Sequence, residues 1–356
     1  MAFTPFDLAT LLEVRRNQKV IAPFWLNFFN RVITFETPNI DFEVVNRKYK
    51  KLAPFVAPNV QGRVITTQGS NMQRFAPAYV KPKSVIDPSK VIARQVGETM
   101  YQPMSNAQRR LAVLAEEARE HKTRIANREE WMAAQAIIYG SVTVSGEDYP
   151  TQTVNFGRDN SLTNTLLTTA RWSETTADPL KDILTMRRRV NSLSGLVVNR
   201  LIFGTNAWDY FVARLGLNNP TTGSLLDRNF RGSETDITRM LNGYEGAEFA
   251  GRFVGSNGAS FECWVYSGTY EDDAGVTQNF LDPRDVIGVG EVDGVRCYGA
   301  IQDAQAGYRA MQVFMKNWLN EDPSVEYLLS QSAPLMVPGE PNATFRIRVT
   351  NAAIVA

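Results

Sequence analysis

Residues 105–140 read SNAQRRLAVLAEEAREHKTRIANREEWMAAQAIIYG, and the rest of the chain is best read outward from them. Ser105 and Gln108 match a capping box, in which the hydroxyl accepts from an orphan backbone N–H and the glutamine side chain answers at the cap. From there Leu111, Leu114, Ala118, Ile125, Met132 and Ala136 recur at steps of three and four residues or their multiples, one apolar stripe. The opposite face is charged, with Glu120 one turn before Arg124. Gly140 ends the run. The pattern predicts a single helix of about 34 residues, roughly 50 Å long at 1.5 Å per residue. Such a length suits a strut packed on a sheet; two shorter helices with a break near His121 are the alternative.

Upstream, residues 5–16 can form a short amphipathic helix capped by Asp7, with Leu8, Leu11 and Leu12 on one side. Residues 23–60 differ in character, with Pro23, Pro38, Pro54 and Pro58 among aromatic and short alternating runs. Within them IDFEVVNRKYKKLAPFV (40–56) is extended and carries the basic cluster Arg47, Lys48, Lys50 and Lys51. An arm lying on neighbouring subunits fits this stretch, and so does an edge strand with a surface loop. Residues 60–92 read as a hairpin-like excursion. GRVITTQG (62–69) is alternating and β-branched, and NMQRFAPAYVKPKSVI (71–86) alternates on the way back. Pro77 and Pro82 confine the return to an edge or an exposed ribbon. A ribbon with so little apolar surface needs a partner surface to be ordered.

Downstream, SVTVSGEDYPTQTVNFG (141–157) is a strand, a turn and a strand, and residues 158–177 read as a polar loop or linker. Asp178 and Pro179 suit the cap and first position of a helix carrying Leu180, Ile183, Leu184 and Val190 and closed by Gly195. LVVNRLIFG (196–204) is a buried strand, and Asn206 opens the helix AWDYFVARLG. Helix and strand in this order suggest a small mixed α/β domain. After a Gly- and Asn-rich stretch at 216–260, FECWVYSGTYED (261–272) gives a strand and turn. LDPRDVIGVGEVDGVRCYGAI (281–301) gives a turn and two strands. The tail is expected to hold a turn at Asp322–Pro323, a short helix, and a last strand in which Phe345, Ile347 and Val349 alternate.

Composition is that of an ordinary globular protein: 356 residues, 44% hydrophobic, 21% charged, formal net charge +1. That length suggests one large domain or two to three smaller ones. A basic surface in bulk is excluded, local patches are not, and no zinc finger or long Lys/Arg run points to a nucleic-acid-binding domain. Cys263 and Cys297 form no CxxC pair and read as buried free thiols in a reducing compartment. The N-terminal residues lack the pattern of a signal peptide, and no window of 18 residues is apolar enough to span a membrane. The product is expected to stay in the cytoplasm or in a particle assembled there.

Sites for chemistry are hard to find. His121 is the one histidine, expected to be solvated on a charged helix face, with no metal-spaced cluster or nucleophile beside it. No GxSxG elbow, phosphate loop or dinucleotide fingerprint is present. GVGEVDG (288–294) reads as a tight turn between strands. Asp272 and Asp273 lack calcium-loop spacing and read as a solvated turn. Glu116, Glu117, Glu129 and Glu130 are expected as helix-surface charges. The tryptophans Trp25, Trp131, Trp172, Trp208, Trp264 and Trp318 are scattered, as core or interface anchors are. No catalytic, cofactor-binding or metal residue is assigned. An arm, a ribbon, a strut and a mixed domain suit a protein that works through its interfaces.

Several strings resemble the major capsid proteins of lambda-type tailed phages. They are RFAPAYVKPKSVIDP (74–88), REEWMAAQAIIYGSVTVSG (128–146), VNFGRD (154–159) and KNWLNEDPSVEYLLSQSAPLMVPGEP (316–341), in the same order along the chain. The resemblance implies an α+β fold of the Hong Kong 97 type. Its parts would be an N-terminal arm (1–50), an extended E-loop (51–90), a peripheral domain (91–177) with a spine helix at about 105–140, an axial α/β domain (178–315), and a return to the peripheral domain (316–356). It implies a major head protein, not an enzyme, without cofactor. Copies would assemble as hexamers and pentamers into an icosahedral head around double-stranded DNA. Its partners would be itself, a scaffold, a portal, a decoration protein and the packaged DNA by non-specific contact, with no membrane. It would be located in the virion after assembly in the host cytoplasm. Phe75, Tyr79 and Val80 are the expected intersubunit contacts of the E-loop, and the cluster Arg47, Lys48, Lys50 and Lys51 is expected on a neutral to mildly basic inner face. Some relatives join a Lys to an Asn between subunits; Lys81 and Lys83 lie near the loop's far end, but no partner Asn is identifiable. The competing structural reading is a tail-tube or head-closure component, against which the long helix followed by an α/β domain argues.

Overall fold

The computed structural model describes residues 23–37, 39–44, 71–93, 105–146, 149–214, 246–254, 260–272, 274–322 and 324–351, with single residues at 55, 58, 61 and 244. The helix expected at 5–16, the strand at 62–69 and the basic cluster Arg47, Lys48, Lys50 and Lys51 lie outside the described residues.

A 3-10 turn at Trp25–Phe28 precedes β1 (Arg31–Thr34), β2 (Ile40–Val44), β3 (Asn71–Phe75) and β4 (Lys83–Ile86). Helix α1 (Pro88–Ile92) leads to α2 (Asn106–Tyr139), followed by β5 (Ser141–Gly146), β6 (Tyr149–Asn155) and β7 (Thr163–Thr165). Then come α3 (Pro179–Ser194), β8 (Arg200–Gly204), α4 (Thr205–Arg214), β9 (Ala247–Val254) and β10 (Ser260–Tyr266). The chain continues with β11 (Thr269–Glu271), β12 (Thr277–Asn279), β13 (Asp285–Val289) and β14 (Val295–Tyr298). It closes with β15 (Phe314–Asn320), β16 (Val325–Gln331), β17 (Pro334–Val337) and β18 (Thr344–Arg348).

Helix α2 runs unbroken through His121. Its start is the capping box: Gln108 N donates to Ser105 Oγ at 3.3 Å, and Ser105 N donates to Gln108 Oε1 at 2.9 Å. Gly140 closes it at φ 68°, and a Cβ there would come within 2.6 Å of the Arg158 Cβ. The helix joins two cores. Val113, Leu114, Ala118 and Ile125 pack with Ile86, Val313, Met315 and Leu328 on a three-stranded sheet ordered β15-β16-β4. Met132, Ala133, Ala134, Ala136, Ile137 and Ile138 enter a larger core with Trp25, Phe29 and residues of β14 and β17. Leu111, expected in the stripe, is 43% exposed. The covered arc at this end is centred on Arg110, Val113 and Leu114, and Leu111 stands about a quarter turn away at 100° per residue.

A third core lies on one face of a six-stranded sheet ordered β7-β18-β13-β8-β10-β9. Its strands alternate between two apolar layers, so near-continuous apolar runs are needed. Leu201, Phe203, Cys263 and Val286 face α3 and α4, while Ile202, Trp264 and Ile287 face the core that holds the end of α2. Phe345 and Ile347 of β18 fill the α3–α4 side with Val349 just beyond, the alternation expected of the last strand. Gly288 is obligatory at its register position, because a Cβ there would lie 2.1 Å from the Phe345 ring. The loop at 158–177 does more than connect: Leu162, Leu166 and Trp172 are buried in the same core. The short helix expected after Pro323 is instead β16. VEYLLSQ alternates, and the strand is hydrogen-bonded on both sides, to β15 and to β4. Pairing on two edges overrides the helix preference of Glu and Leu. β4 is an edge strand, as its flanking prolines require.

Candidate functional site

The polar side chains that could carry chemistry sit at the joints of this framework. His121 is 1% exposed, against the expectation of a solvated residue. It faces the sheet, with Nε2 2.8 Å from Ser84 Oγ on β4 and Nδ1 2.9 Å from Ser330 Oγ on β16. The Ser84 hydroxyl donates in turn to Glu117, which also accepts from Lys90 Nζ at 3.0 Å. The only consistent proton arrangement is Nε2–H donating to Ser84 and Nδ1 accepting from Ser330. Burial pushes the His121 pKa down, outweighing the raising effect of Glu117, so the ring is held neutral. The relay ties a helix to a sheet. Its serine oxygens are consumed by the histidine, and the cleft described below is lined by other residues.

Glu129 and Glu130 are also buried, at 9% and 7% exposure, not on the surface as expected. Glu130 caps the 3-10 turn, accepting from the backbone N–H of Phe24 (2.8 Å), Trp25 (2.6 Å) and Leu26 (2.9 Å). Burial pushes its carboxyl above the ordinary range, and the three donors and Arg296 oppose that shift. Glu129 accepts from the Tyr298 hydroxyl at 3.1 Å. Arg158 donates to Ile137 O (3.0 Å), to Thr163 Oγ1 (2.8 Å) and, at 3.4 Å, to Thr344 Oγ1. It thereby ties the end of α2 to the six-stranded sheet, and burial lowers its pKa to about 10, leaving it charged. At the end of that sheet Asp285 accepts from Arg346 Nε and Arg348 Nε, each at 2.8 Å. Asp282 accepts from Arg284 at 2.8 Å and Arg348 at 2.7 Å. Burial pushes the Cys263 and Cys297 thiols up to about 12, so both are inert protonated groups. Among the described residues no group of three or more His, Cys, Asp or Glu could hold a metal ion.

The expected contact residues are seated on their own chain. Phe75 packs against the larger core. Tyr79 donates its hydroxyl to Ala300 O at 2.7 Å and packs beside Ile301, Ala306, Phe314 and Ala333. The Val80 N–H donates to Ser332 O at 2.8 Å, and its side chain joins the core under α2. All three are half-buried. A cleft of about 300 Å³ opens between the middle of α2 (Thr123, Asn127), Pro23 and the turn Ser267–Thr269. Its acidic member, Glu130, is already saturated by backbone donors. No signal within α2 itself reveals the buried roles of His121 and Glu130; their partners lie 209 and 105 residues away for Ser330 and Trp25.

Among the described residues these polar groups are taken up within the framework itself, and comparison with known proteins gives the family. The family described as phage major capsid protein E matches residues 7–349. The major capsid protein of Enterobacteria phage P21 is 31% identical over 335 residues, covering 90% of this chain and 92% of that one. The major capsid protein of Escherichia phage lambda is 30% identical over 347 residues, covering 95% and 97%. A crystal structure described as a prophage capsid protein of Escherichia coli CFT073 superposes with a TM-score of 0.73 at 23% identity, over 98% of this chain and all of that one.

Proposed function

The chain belongs to the phage major capsid protein E family, a structural subunit of the virion shell, and from that premise we propose that its copies associate as hexamers and pentamers into a closed icosahedral head around double-stranded DNA. The match across nearly the whole chain carries the reading, and a fold resembling the Hong Kong 97-type capsids supports it. In this reading residues 1–50 are an arm and α2 is the spine of a peripheral domain. The axial domain centres on the six-stranded sheet and draws β7 and β18 from the flanking segments. The E-loop of residues 51–90 divides at β3: from Phe75 onward it rests on its own subunit, and the part between β2 and β3 reaches the neighbour. The half-exposed faces of Phe75, Tyr79 and Val80 lie at its base. The basic cluster Arg47, Lys48, Lys50 and Lys51 belongs to an inner face that meets DNA through phosphates alone. A scaffold, a portal and a decoration protein act in trans, and assembly takes place in the host cytoplasm.

Co-expression with the neighbouring genes, followed by sedimentation and electron microscopy, tests the reading. Closed shells are expected; open tubes or rings as the sole product would replace the head by a tail or connector.

A further inference from the structure

Helix α3 carries a cationic face that meets no carboxylate among the described residues of its own subunit. Its buried stripe is Pro179, Ile183, Met186 and Val190. At 100° per residue, Arg188 points directly away from that stripe, and Arg187 and Arg189 stand on its two flanks. Arg188 and Arg189 are exposed, Arg187 is half-buried, and exposed Lys181 lies two turns back on the side of Arg188. Several other arginines are given acceptors: Arg110 meets Glu326 at 2.8 Å, and Arg348 meets Asp282 at 2.7 Å and Asp285 at 2.8 Å. Among the described residues no carboxylate pairs with Arg187, Arg188 or Arg189, and none stands three or four positions from them on the helix. The helix's own acids are engaged, Asp178 accepting from Lys181 N and Asp182 from Trp172 Nε1, each at 3.0 Å.

Two ordinary explanations fall short. Favourable interaction with the helix dipole is confined to the last turn, and α3 has no basic residue there. Solubility needs dispersed charge of both signs, whereas three adjacent cations repel one another. We propose that this face of α3 binds the phosphate backbone of double-stranded nucleic acid, and so forms part of the surface that touches the packaged genome. The inference rests on the reading that the shell encloses DNA, and it gives that contact a second location besides the arm. Planar guanidinium groups grip phosphate oxygens in pairs. Arg188 and Lys181 two turns before it lie along one line of the helix that can follow a phosphate backbone, and the long Arg187 and Arg189 side chains flank that line. An acidic protein partner is disfavoured because α3 contributes no exposed large apolar side chain that could anchor one.

The test is fluorescence anisotropy of a labelled duplex with the purified full-length subunit over a range of salt concentrations. Three proteins are compared: the wild type, R187Q/R188Q/R189Q, and a variant with Arg47, Lys48, Lys50 and Lys51 all changed to Gln. The arginine variant is expected to lose at least about tenfold in affinity at low salt, and its salt slope should fall by about 2 to 3. R188E, a single surface change, should lose several-fold and serves if the triple variant does not fold. Unchanged affinity and slope overturn the proposal; if the arm variant alone loses binding, the reading of DNA contact stands and this site falls. A wild type that binds no duplex at low salt removes both. An arginine variant that binds DNA normally but no longer forms shells makes the face a protein contact, and the proposal is wrong.

Discussion

Three backbone N–H groups converge on the Glu130 carboxylate, and Phe24, Trp25 and Leu26, which supply them, are at most 3% exposed. Removing the acceptor leaves three N–H groups with only the water that enters from the adjoining cleft, so Glu130→Ala should cost about 2 kcal/mol or more in chemical denaturation, with a red-shifted tryptophan emission as Trp25 is released. Glu130→Gln, which keeps one carbonyl acceptor, should fall between. A different ledger applies to Asp282. Burial alone would raise its pKa, but the Arg284 side chain and backbone and the Arg348 charge outweigh it and bring it to about 2. A carboxyl depressed in the folded state stabilises above its unfolded value, and that stabilisation disappears as pH falls through the folded one. The gap from 3.8 corresponds to about 2 kcal/mol, present above about pH 4 and lost between about pH 4 and 2. Urea unfolding of wild type and Asp282→Asn should therefore differ at pH 6 and converge near pH 2. Charge is a good guide to exposure only when the partner is water. Glu129, Glu130 and His121 break that rule because distant backbone and hydroxyl groups satisfy them, and a local reading of α2 cannot find such partners.

A helix that bridges two cores feels a different environment at each end. The capping box, the Gly140 stop and the apolar period were legible because they are local properties of 105–140. What escaped was the direction of burial. Near its start only one arc of α2 is covered, whereas from Glu129 onward buried positions occur on several sides. This difference makes two neighbouring leucines unequal. Leu114 is 2% exposed and Leu111 43%. Leu114→Asp should bury an unpaired charge at a cost of several kcal/mol, of order 3 to 5, while Leu111→Asp should change stability by less than about 0.5 kcal/mol. Thermal and urea melts of the two variants decide the matter; equal losses would mean that the sheet covers both. The β16 segment failed at sequence level for the complementary reason. VEYLLSQ has residues that suit a helix, and only the edges of β15 and β4, the latter some 240 residues earlier in the chain, hold it extended.

At the scale of the whole molecule the question is which part of the polypeptide serves the subunit and which serves the shell. Strands β2 and β3 pair antiparallel with Val44 opposite Asn71, so the two ends of the segment 45–70 lie side by side. After that point the chain is committed inward: Pro77 and Ala78 are buried, Tyr79 is bonded to Ala300, and β4 is the edge of the sheet under α2. The sequence alone could not draw this line, because Pro77 and Pro82 mark the whole return as ribbon, whereas its anchors lie beyond residue 295. The division predicts an asymmetric outcome. Replacing residues 45–70 by Asn-Gly, which favours the turn of a two-residue hairpin, joins the paired ends of β2 and β3 and shortens a loop at little entropic cost. Circular dichroism and the melting transition should remain close to those of the wild type, since the described packing is untouched. Sedimentation velocity and negative-stain microscopy should find no closed shells, because the segment between β2 and β3 is the one assigned to the neighbouring subunit. Shells of normal size from this variant would leave the excursion without a part in assembly. A subunit that fails to fold would place residues 45–70 within the support of its own core. Only a folded monomer unable to close a shell agrees with a chain whose framework is complete without the excursion and whose assembly depends on it.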